Sequence, residues 1–427
     1  MHVKEPVLII AFKFPPLGGM RVKRMTMFAK YLAKKGYQVH VVTVHWNVQD
    51  VNTWMEDTQH PNIFIHRIVS LSPHHLLYED AKGWWRQTMK KIAYRLKRLL
   101  YFVDEAQYWG ISLLPFAKRL IKEKGITNVI CTGAPFMANY WAARLKQAVP
   151  DIHLMQDFRD PWNDHLCASY HQYFRFGWQK RRSQEYERYA LTHADTIIAV
   201  TDSLKTLLKN KVENHARWVT LSNGFDPERY EYLQFQPNRN KMKLVYIGNL
   251  FVGRDKVFRD FLKTMQQLMQ ECPEFKASFE LVTYGGLSPS IAQEFQPLID
   301  EGIFKPNGYV SPEVALREAG NAFALLLINA DFFPFLVSGK VYEYIALNRP
   351  IYAVTPDGEL PKLIQKGHLG QTVPTDNPEA QKKGLLNLFE LWKQNPAYVP
   401  KVDPKFVQQF RYDQLVDQLT TLFKTSP

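Results

Sequence analysis

Cysteines, long apolar runs and metal-ligand clusters are scarce or missing in this 427-residue sequence. Its three cysteines, Cys131, Cys167 and Cys272, are too far apart for a metal-ligand spacing, which indicates a reduced, intracellular and metal-poor protein. No uninterrupted apolar run approaches the roughly 18 residues needed to span a bilayer. The first residues, MHVKEPVLIIAF, enter an apolar strand at once, without the pattern of a signal peptide. We therefore expect a cytoplasmic protein.

Length, composition and charge define the class of protein. A chain of this length is too long for one ordinary core and predicts two domains, and 46% hydrophobic residues indicate a globular protein. The net charge of +13 lies in the first half, because residues 1–225 carry 32 Lys and Arg against 18 Asp and Glu. Such asymmetry favours a polyanionic partner for one domain, either nucleic acid or anionic lipid. No nucleic-acid-binding motif accompanies the basic residues, so we expect no nucleic acid partner.

The first half of the chain alternates predicted strands and helices, which is typical of a parallel sheet covered by helices on both faces. The predicted strands are Val7–Phe12, Val39–Val44, Ile63–Ile68, Asn128–Cys131, His153–Gln156 and Thr196–Val200. The predicted helices are Arg21–Lys35, ending at Gly36, Leu113–Lys124 and Gln179–Thr192. The polar residues 226–241, with Pro227 and Pro237, indicate an interdomain linker.

A second series of the same kind follows this linker. The predicted strands are Lys243–Ile247, Ser278–Thr283, Ala324–Ile328 and Ile351–Val354. The predicted helices are Phe258–Gln270, Ser288–Asp300 and Val314–Asn321, with a last helical stretch at Pro404–Lys424. The fold class is therefore α/β, with two doubly wound domains.

The segment SGKVYEYIALNRPI, residues 338–351, carries the strongest chemical signal. A helix that starts at Ser338 and Gly339 exposes free backbone N–H groups and the positive end of its dipole, which suits a diphosphate. Lys340 adds a point charge for phosphate oxygens. Glu343, one turn further on, can accept hydrogen bonds from a sugar diol. These residues predict a nucleoside-diphosphate ligand.

Polar residues in the first half have both a structural and a functional interpretation. In the run DFRDPW, Arg159 forms a salt bridge with Asp157 or Asp160, or else one of these aspartates positions an acceptor hydroxyl. Gly18 and Gly19 are turn residues between a strand and a helix, or their amides approach a ligand there. Arg21 is a solvated helix residue or an anion contact at the same edge of the sheet. His165 and His171 are expected at the surface.

A basic amphipathic helix is predicted at Lys82–Val103, where apolar residues recur in steps of three and four. Seven Lys and Arg residues and no acid stand between them, and tryptophans lie at one end. This pattern suits the interface of an anionic membrane. It also suits a helix that packs its apolar stripe on the core and leaves a solvated basic face. A second basic and aromatic cluster, Tyr170–Arg182, extends the same surface under the first interpretation.

An ordered set of motifs carries a resemblance to a known family. The motifs are FPPLGG with Arg21, Thr132–Pro135, Asp157–Trp162, Ala194-Asp195, Ser222–Asp226, Tyr246–Leu250, Asn307–Val310 and the segment 338–351. In this order they resemble retaining glycosyltransferases of family 4, of the bacterial surface-polysaccharide type. The resemblance implies the GT-B fold, in which two Rossmann-like domains face each other across a cleft and a C-terminal helix crosses back to the first domain.

The resemblance also implies domain roles. Residues 1–225 with 404–427 would form the acceptor-binding domain, 226–241 the linker and 242–403 the nucleotide-sugar-binding domain. The enzyme would move a hexosyl or related group from a UDP- or GDP-linked donor to a sugar or lipid-linked acceptor, without a cofactor, at the inner face of the cell membrane. Metal independence is expected because no Asp-x-Asp motif is present. Instead, cations and helix amides would neutralise the leaving diphosphate.

Several site residues follow from matched positions. Lys340 and Arg254, with Lys256 as the second match for Arg254, would bind the diphosphate, and Glu343 the ribose. The other donor-side residues are Gly248, Asn249, Tyr309, Val310, Ser338 and Gly339. The family commonly has a further glutamate eight positions before Glu343, which contacts the donor sugar. Phe335 stands there, so the partner of the sugar is unassigned.

Two other functions fit the same sequence pattern. A sugar-nucleotide epimerase shares the two-domain fold and the phosphate site but acts on the donor alone. A non-catalytic glycosyltransferase-like subunit would account for Phe335.

Overall fold

A computed structural model describes residues 4–46, 54–71, 84–85, 87–89, 92, 103–164, 174, 176–233, 235–236, 239–330 and 337–424. The chain divides into two compact units. Unit 1 comprises Met1–Asn223 and Tyr412–Pro427, and unit 2 comprises Gly224–Arg411. The two predicted doubly wound α/β domains are confirmed by the sheets of these units.

Unit 1 is built on seven parallel strands. They are β1 (Lys4–Ala11), β2 (Tyr37–Val44), β3 (Ile63–Ile68), β4 (Asn128–Thr132), β5 (His153–Phe158), β6 (Thr196–Ala199) and β7 (Arg217–Thr220). The helices are α1 (Met20–Lys34), α2 (Gly110–Lys124), α3 (Met137–Ala148), α4 (Gly177–Thr192) and α5 (Asp202–Lys209), with a 3₁₀ turn at Glu56–Thr58. The strand order is β3-β2-β1-β4-β5-β6-β7, and the order reverses between β1 and β4.

The sequence of β1 explains its central place in this sheet. Val7, Leu8, Ile9 and Ile10 are completely buried, since helices cover both faces of the strand. Helix α1 follows, and its C-terminus is set by Gly36, which has the left-handed φ of 91° that glycine adopts without strain. The C-cap itself is Lys35, one residue before the predicted Gly36, and Gly36 is the left-handed residue that follows it.

Unit 2 is built on six parallel strands. They are β8 (Met242–Ile247), β9 (Phe279–Tyr284), β10 (Phe304–Pro306), β11 (Ala324–Ile328), β12 (Ile351–Val354) and β13 (Gly370–Val373). The helices are α6 (Arg254–Glu271), α7 (Pro273–Ser278), α8 (Pro289–Glu294), α9 (Gln296–Asp300), α10 (Pro312–Gly320), α11 (Lys340–Leu347), α12 (Glu359–Lys366), α13 (Pro378–Gln394) and α14 (Pro404–Gln408), with a 3₁₀ turn at Pro227–Arg229. The strand order is β10-β9-β8-β11-β12-β13, so the order reverses between β8 and β11.

The residues predicted as a linker, 226–241, belong to unit 2 and pack on it. Tyr230, Leu233 and Phe235 are partly buried against the core of unit 2. A Cβ atom on Gly320 would lie 2.0 Å from the Phe235 ring, so only glycine leaves room for this side chain. Apolar packing therefore makes this polar-looking segment part of the unit.

The predicted terminal helix at Pro404–Lys424 is two helices, α14 and α15 (Tyr412–Thr420), which belong to different units. In unit 2, Phe410 contacts the Tyr342 ring at a centroid distance of 5.3 Å. In unit 1, Tyr412 contacts Phe28 on α1 at 6.2 Å. The chain thus returns to unit 1 at Tyr412, later than the sequence predicted, because the aromatic residues before this point pack on unit 2.

Other elements also differ from the prediction. The helix predicted at Ser288–Asp300 is split into α8 and α9, because Pro297 lacks the N–H of a helix interior and lies instead in the first turn of α9. Helices α3, α5, α7, α12 and α13 and strands β7, β10 and β13 were not predicted. None of the helices in the described ranges is long and apolar enough to cross a membrane.

Candidate functional site

In unit 2, three chain segments meet where the strand order reverses. They are the turn after β8, the turn after β9 and the start of α11. Leu250 N donates to Gly286 O at 2.8 Å, and Gly286 N donates to Asn249 Oδ1 at 2.9 Å. Ligands of open α/β sheets bind at this reversal, outside the carboxyl ends of the strands. The geometry of unit 2 therefore provides a candidate ligand site here.

Two glycines allow these segments to approach closely. Gly248 has φ of 109°, and a Cβ atom there would lie 2.4 Å from Lys340 Cε. Gly285 has φ of 120°, and its Cβ atom would lie 2.5 Å from Gly248 O. Any larger residue would clash and would also adopt a strained backbone conformation. The Lys340 side chain thus crosses the β8 turn in direct contact with its backbone.

Lys340 is the first residue of α11, and its amino group is held by Tyr246 of β8. Lys340 Nζ donates to the Tyr246 hydroxyl and lies 4.1 Å from the centroid of the tyrosine ring. The hydroxyl in turn donates to Asn249 O at 3.1 Å. Burial, and the nearby positive charge of Arg254, hold the pKa of Lys340 well below its ordinary value. An anion placed beside this amino group would relieve the repulsion.

Arg254 supplies a second cation at this site. It is the first residue of α6 and follows Gly253, whose φ is 82°. Its charge lowers the pKa of Lys340 and opposes the rise in pKa that burial causes at Tyr246. Two cations at the N-termini of two helices create a positive potential suited to an anion with several oxygens.

The remaining predicted residues of unit 2 lie around this centre. Glu343 is on the first turn of α11, three residues after Lys340 and thus on the same side of the helix. Tyr309 is 75% exposed, and a Cβ atom on Gly286 would lie 2.7 Å from its hydroxyl. Val310 is exposed, and Ser338 and Gly339 precede the helix. Phe335 lies outside the described residues.

In unit 1, Arg159 joins two segments at the reversal between β1 and β4. Its Nε donates to Gly133 O at 3.1 Å and its Nη1 donates to Arg21 O at 2.7 Å. Arg21 Nε lies 3.4 Å from Gly18 O, and Gly19 has φ of 84° at the start of α1. Four predicted residues, Gly18, Gly19, Arg21 and Arg159, are therefore neighbours at the carboxyl edge of this sheet.

Asp157 forms a buried ion pair, but its partner is Arg24 and not the predicted Arg159. Arg24 Nη2 donates to Asp157 Oδ1 at 2.8 Å and Arg24 Nε to the same oxygen at 3.0 Å. Thr132 Oγ1 donates to Oδ2 at 3.0 Å. Asp157 is completely buried and Arg24 is 1% exposed. This geometry favours a structural role, and a role of Asp157 at the acceptor stays a prediction.

Asp160 has a different environment. It is partly exposed, and its carboxylate makes no hydrogen bond or ion pair with another residue in the described ranges. Of the two aspartates, Asp160 is therefore the one that can reach a ligand. His165, His171 and most of Lys82–Val103 lie outside the described residues.

Comparison with known families identifies what one part of the chain resembles. Residues 22–229 match the model of a family described as Glycosyltransferase Family 4. This part of the chain is similar to glycosyltransferase family 4. The predicted resemblance to glycosyltransferase family 4 is thereby confirmed, and it supports a glycosyltransferase-like enzyme. No curated protein matches the sequence.

Solved structures show the fold of the whole chain. Sucrose-phosphate synthase from Thermosynechococcus elongatus is similar over 98% of each chain, with 13% identity and a TM-score of 0.62. HepE of Anabaena, in complex with UDP and glucose, is similar over 98% of this chain and 99% of its own, with 12% identity and a TM-score of 0.63. WaaG, a glycosyltransferase involved in lipopolysaccharide biosynthesis, is similar over 98% of this chain and 100% of its own, with 13% identity and a TM-score of 0.56. The fold of this chain is GT-B.

Sequence reasoning missed three residues of the donor-side site. Tyr246 stands within an apolar strand, where a tyrosine is ordinarily a core residue. Gly285 and Gly286 directly follow the buried strand β9, and this strand-glycine-glycine pattern was the signal that could have found them. Across the described ranges, no group of three or more His, Cys, Asp and Glu residues has a geometry that could hold a metal ion.

Proposed function

We propose that this protein is a glycosyltransferase, which moves a sugar from a UDP- or GDP-linked donor to a hydroxyl of a sugar or lipid-linked acceptor. The single observation that carries this proposal is Lys340, which begins α11 and crosses the glycine turn of β8 at the reversal of strand order. A basic side chain beside free helix amides is a general arrangement for binding a diphosphate.

The proposed mechanism concerns the leaving group. When the glycosidic bond to the diphosphate breaks, negative charge grows on the leaving phosphate oxygens. Lys340 and Arg254 would bind these oxygens, with amides of Gly339 and of the β8 turn, and their contacts would strengthen as charge develops. Glu343 would accept hydrogen bonds from the ribose. These groups supply positive charge from the protein itself, so the proposed reaction uses neither a metal ion nor a cofactor. Retention of the anomeric configuration is proposed from the resemblance to retaining family 4 enzymes alone.

The acceptor is proposed to bind unit 1. Arg21 and Arg159, with the amides of Gly18 and Gly19, offer donors at the carboxyl edge of the sheet. Asp160 would orient the attacking hydroxyl, since its carboxylate is partly exposed. The HepE complex with UDP and glucose supports a nucleotide-sugar donor for this fold.

Nucleotide binding tests the donor half of the proposal. UDP, GDP and ADP are each added to the wild-type protein, and thermal unfolding is followed, because a ligand that binds only the folded state raises its apparent stability. We expect one nucleotide to raise Tm in the wild type and to have a much smaller effect on Lys340→Met and Glu343→Ala. Lys366→Met, an exposed lysine on α12, is the matched control and should respond like the wild type. Equal responses in all variants would contradict the proposed donor site.

Turnover tests the reaction itself. The donor chosen by the binding experiment is incubated with and without sugar and lipid-linked acceptors, and products are followed by NMR. We expect the acceptor to gain a sugar with the anomeric configuration of the donor. Epimerised donor without an acceptor would support the epimerase instead, and binding without either product would support the non-catalytic subunit. The family match of residues 22–229 favours transfer.

We further propose that unit 1 contacts an anionic membrane at the inner face of the cell membrane. Trp84 and Trp85 are 68% and 64% exposed, and Phe176 and Trp178 at the start of α4 are also more than half exposed. Exposed aromatic residues beside a net excess of Lys and Arg suit a lipid interface. Sedimentation with phosphatidylglycerol and phosphatidylcholine vesicles tests this. Binding to the anionic vesicles alone, weakened in Trp84→Ser/Trp85→Ser, is expected, and equal binding to both vesicle types would contradict it.

A further inference from the structure

Tyr246 has an unusual combination of burial and contact. Its side chain is completely buried on β8, and its ring contacts Phe258 on the neighbouring helix α6. Only the hydroxyl reaches the turn where the candidate donor site lies. There it accepts a hydrogen bond from Lys340 Nζ and donates one to Asn249 O at 3.1 Å. A phenylalanine ring would fill the same place in the core. The hydroxyl of Tyr246 therefore has a role other than packing.

A second tyrosine ties the same helix to the same strand. Ile247 N donates to the Tyr344 hydroxyl at 3.1 Å, and this hydroxyl donates to Leu326 O at 3.1 Å. Lys340 and Tyr344 are four residues apart and thus on one face of α11. The face of α11 that begins with Lys340 is therefore attached to β8 at two adjacent residues, Tyr246 and Ile247. This attachment makes the position of Lys340 relative to the turn well defined.

The contact leaves the amino group of Lys340 able to bind a ligand. A lysine ammonium has three N–H donors, and Tyr246 accepts only one of them. The ring face, 4.1 Å from Nζ, adds a cation–π attraction. Among the described residues, the charged groups near Lys340 include Arg254 at the start of α6 and Glu343 on the same helix as Lys340. Two N–H donors therefore remain for phosphate oxygens.

We propose that Tyr246 is a positioning residue, which holds the amino group of Lys340 over the β8 turn before the donor arrives, so that the diphosphate meets an ordered cation. Without this contact, a lysine side chain has many rotamers, and ordering them opposes binding. This inference rests on the proposed function, because it takes the ligand of Lys340 to be a nucleoside diphosphate. It adds a residue that touches no substrate and acts only through Lys340.

A double-mutant cycle tests the inference with Tyr246→Phe, Lys340→Met and the double variant. The dissociation constants for UDP, GDP and ADP are measured by calorimetry. We expect Tyr246→Phe to weaken binding of the preferred diphosphate about tenfold in the wild-type background, as for loss of one hydrogen bond to a charged group. In the Lys340→Met background, the same change should alter binding less than about twofold.

The outcomes separate the inference from the function on which it rests. If Tyr246 had a purely structural role, Tyr246→Phe would weaken nucleotide binding equally in the wild-type and the Lys340→Met background. This result would overturn the inference but leave the proposed nucleotide binding intact. An unchanged dissociation constant in Tyr246→Phe also overturns it. If the wild type binds none of the three nucleotides, the proposed function fails, and the inference fails with it. The matching nucleoside is a further control, since its binding should be unaffected by Tyr246→Phe.

A measurement on the wild-type protein keeps the inference testable if Tyr246→Phe does not fold. Lysines are labelled by reductive methylation with ¹³C, and the Lys340 signal is assigned with Lys340→Arg. Because the amino group lies over the Tyr246 ring, its methyl signals should be shifted upfield in the unliganded protein. They should move again when the preferred nucleoside diphosphate is added. A Lys340 signal at the position of a solvated lysine would overturn the inference.

Discussion

The buried ion pair between Arg24 and Asp157 leads to a sharp prediction about Asp157→Asn. The substitution preserves the shape of the side chain but removes its charge. Arg24 is then left 1% exposed without an anionic partner, although its guanidinium still donates to Leu221 O at 2.9 Å and Ser222 O at 2.6 Å. Removing one partner of a buried pair generally costs about 3–5 kcal/mol. We expect the free energy of unfolding of unit 1 to fall by about this amount.

The size of the effect follows from what the contact contains. Asp157 accepts hydrogen bonds from two nitrogens of Arg24 and from the Thr132 hydroxyl. Arg24 lies on α1, Asp157 on β5 and Thr132 at the end of β4, so the contact joins three elements. An asparagine side chain offers one oxygen and turns an N–H₂ group toward some of these donors. Arg24→Met should be similarly destabilising, because it leaves the Asp157 carboxylate buried with Thr132 alone. The double variant should lose less than the sum of the single variants, by at least about 2 kcal/mol.

The assay must report on unit 1, since a chain with two units need not unfold in one step. Hydrogen exchange of β5 amides in increasing urea provides a free energy of opening for this sheet. Asp160→Asn is the matched control, and it should change stability by less than about 0.5 kcal/mol because its side chain is partly exposed. Nucleotide binding should persist in both variants, since the donor-side residues belong to unit 2. A stable Asp157→Asn protein that had lost transfer activity would refute the structural interpretation and support Asp157 at the acceptor.

Three other predictions follow from specific contacts. Gly248→Ala should abolish nucleotide-induced thermal stabilisation, because its Cβ would lie 2.4 Å from Lys340 Cε, and unchanged stabilisation would argue against this close approach. The pKa of Lys340 is lowered, and a bound diphosphate would raise it. Nucleotide binding should therefore be accompanied by proton uptake, and the affinity should fall as the pH rises. Calorimetry in buffers of different ionisation enthalpy measures the number of protons taken up, and this number should be smaller for Lys340→Met. Burial, with smaller contributions from the charges of His66 and Lys124, lowers the pKa of His40 from 6.5 to about 4. The unfolded state therefore binds more protons between these values, and the free energy of unfolding should fall as the pH is lowered from 7 to 4. Urea unfolding of His40→Leu should show a shallower pH dependence.

Local sequence patterns were sufficient for most of the secondary structure. Strands β3, β11 and β12 have the bounds that were predicted, because short apolar runs between turn residues leave little choice of length. The missed elements have weaker patterns. Strand β13 reads GQTV and exposes two of its four residues at the edge of its sheet, and such a strand resembles a loop in sequence. Helix α13 begins after the polar residues Thr375–Asn377, which resemble a loop in sequence.

For the candidate sites, too, some residues could be predicted from local sequence and others could not. Lys340 and Glu343 could be proposed as ligand-binding residues from the sequence because a helix start, a basic residue and a carboxylate lie within six residues, and their roles stay predictions. Arg159 could be assigned to the edge of the first sheet, but its partners could not. The ion-pair partner of Asp157 was predicted wrongly, since Arg159 is close in sequence while Arg24 is 133 residues away. Sequence neighbours are the natural candidates when no tertiary contact is known.

The sequence by itself determined that two α/β domains form and that residues 338–343 suit a diphosphate, because helix starts, glycine turns and buried parallel strands are set by local chemistry. Only the tertiary structure decided which side chains meet. Tyr246 and Lys340 are 94 residues apart and come together because β8 and α11 flank the reversal of strand order. The return of the chain to unit 1 at Tyr412 is likewise decided by which aromatic residues each core accepts. Contacts at such separations depend on packing of whole elements, which leaves no local trace in the sequence.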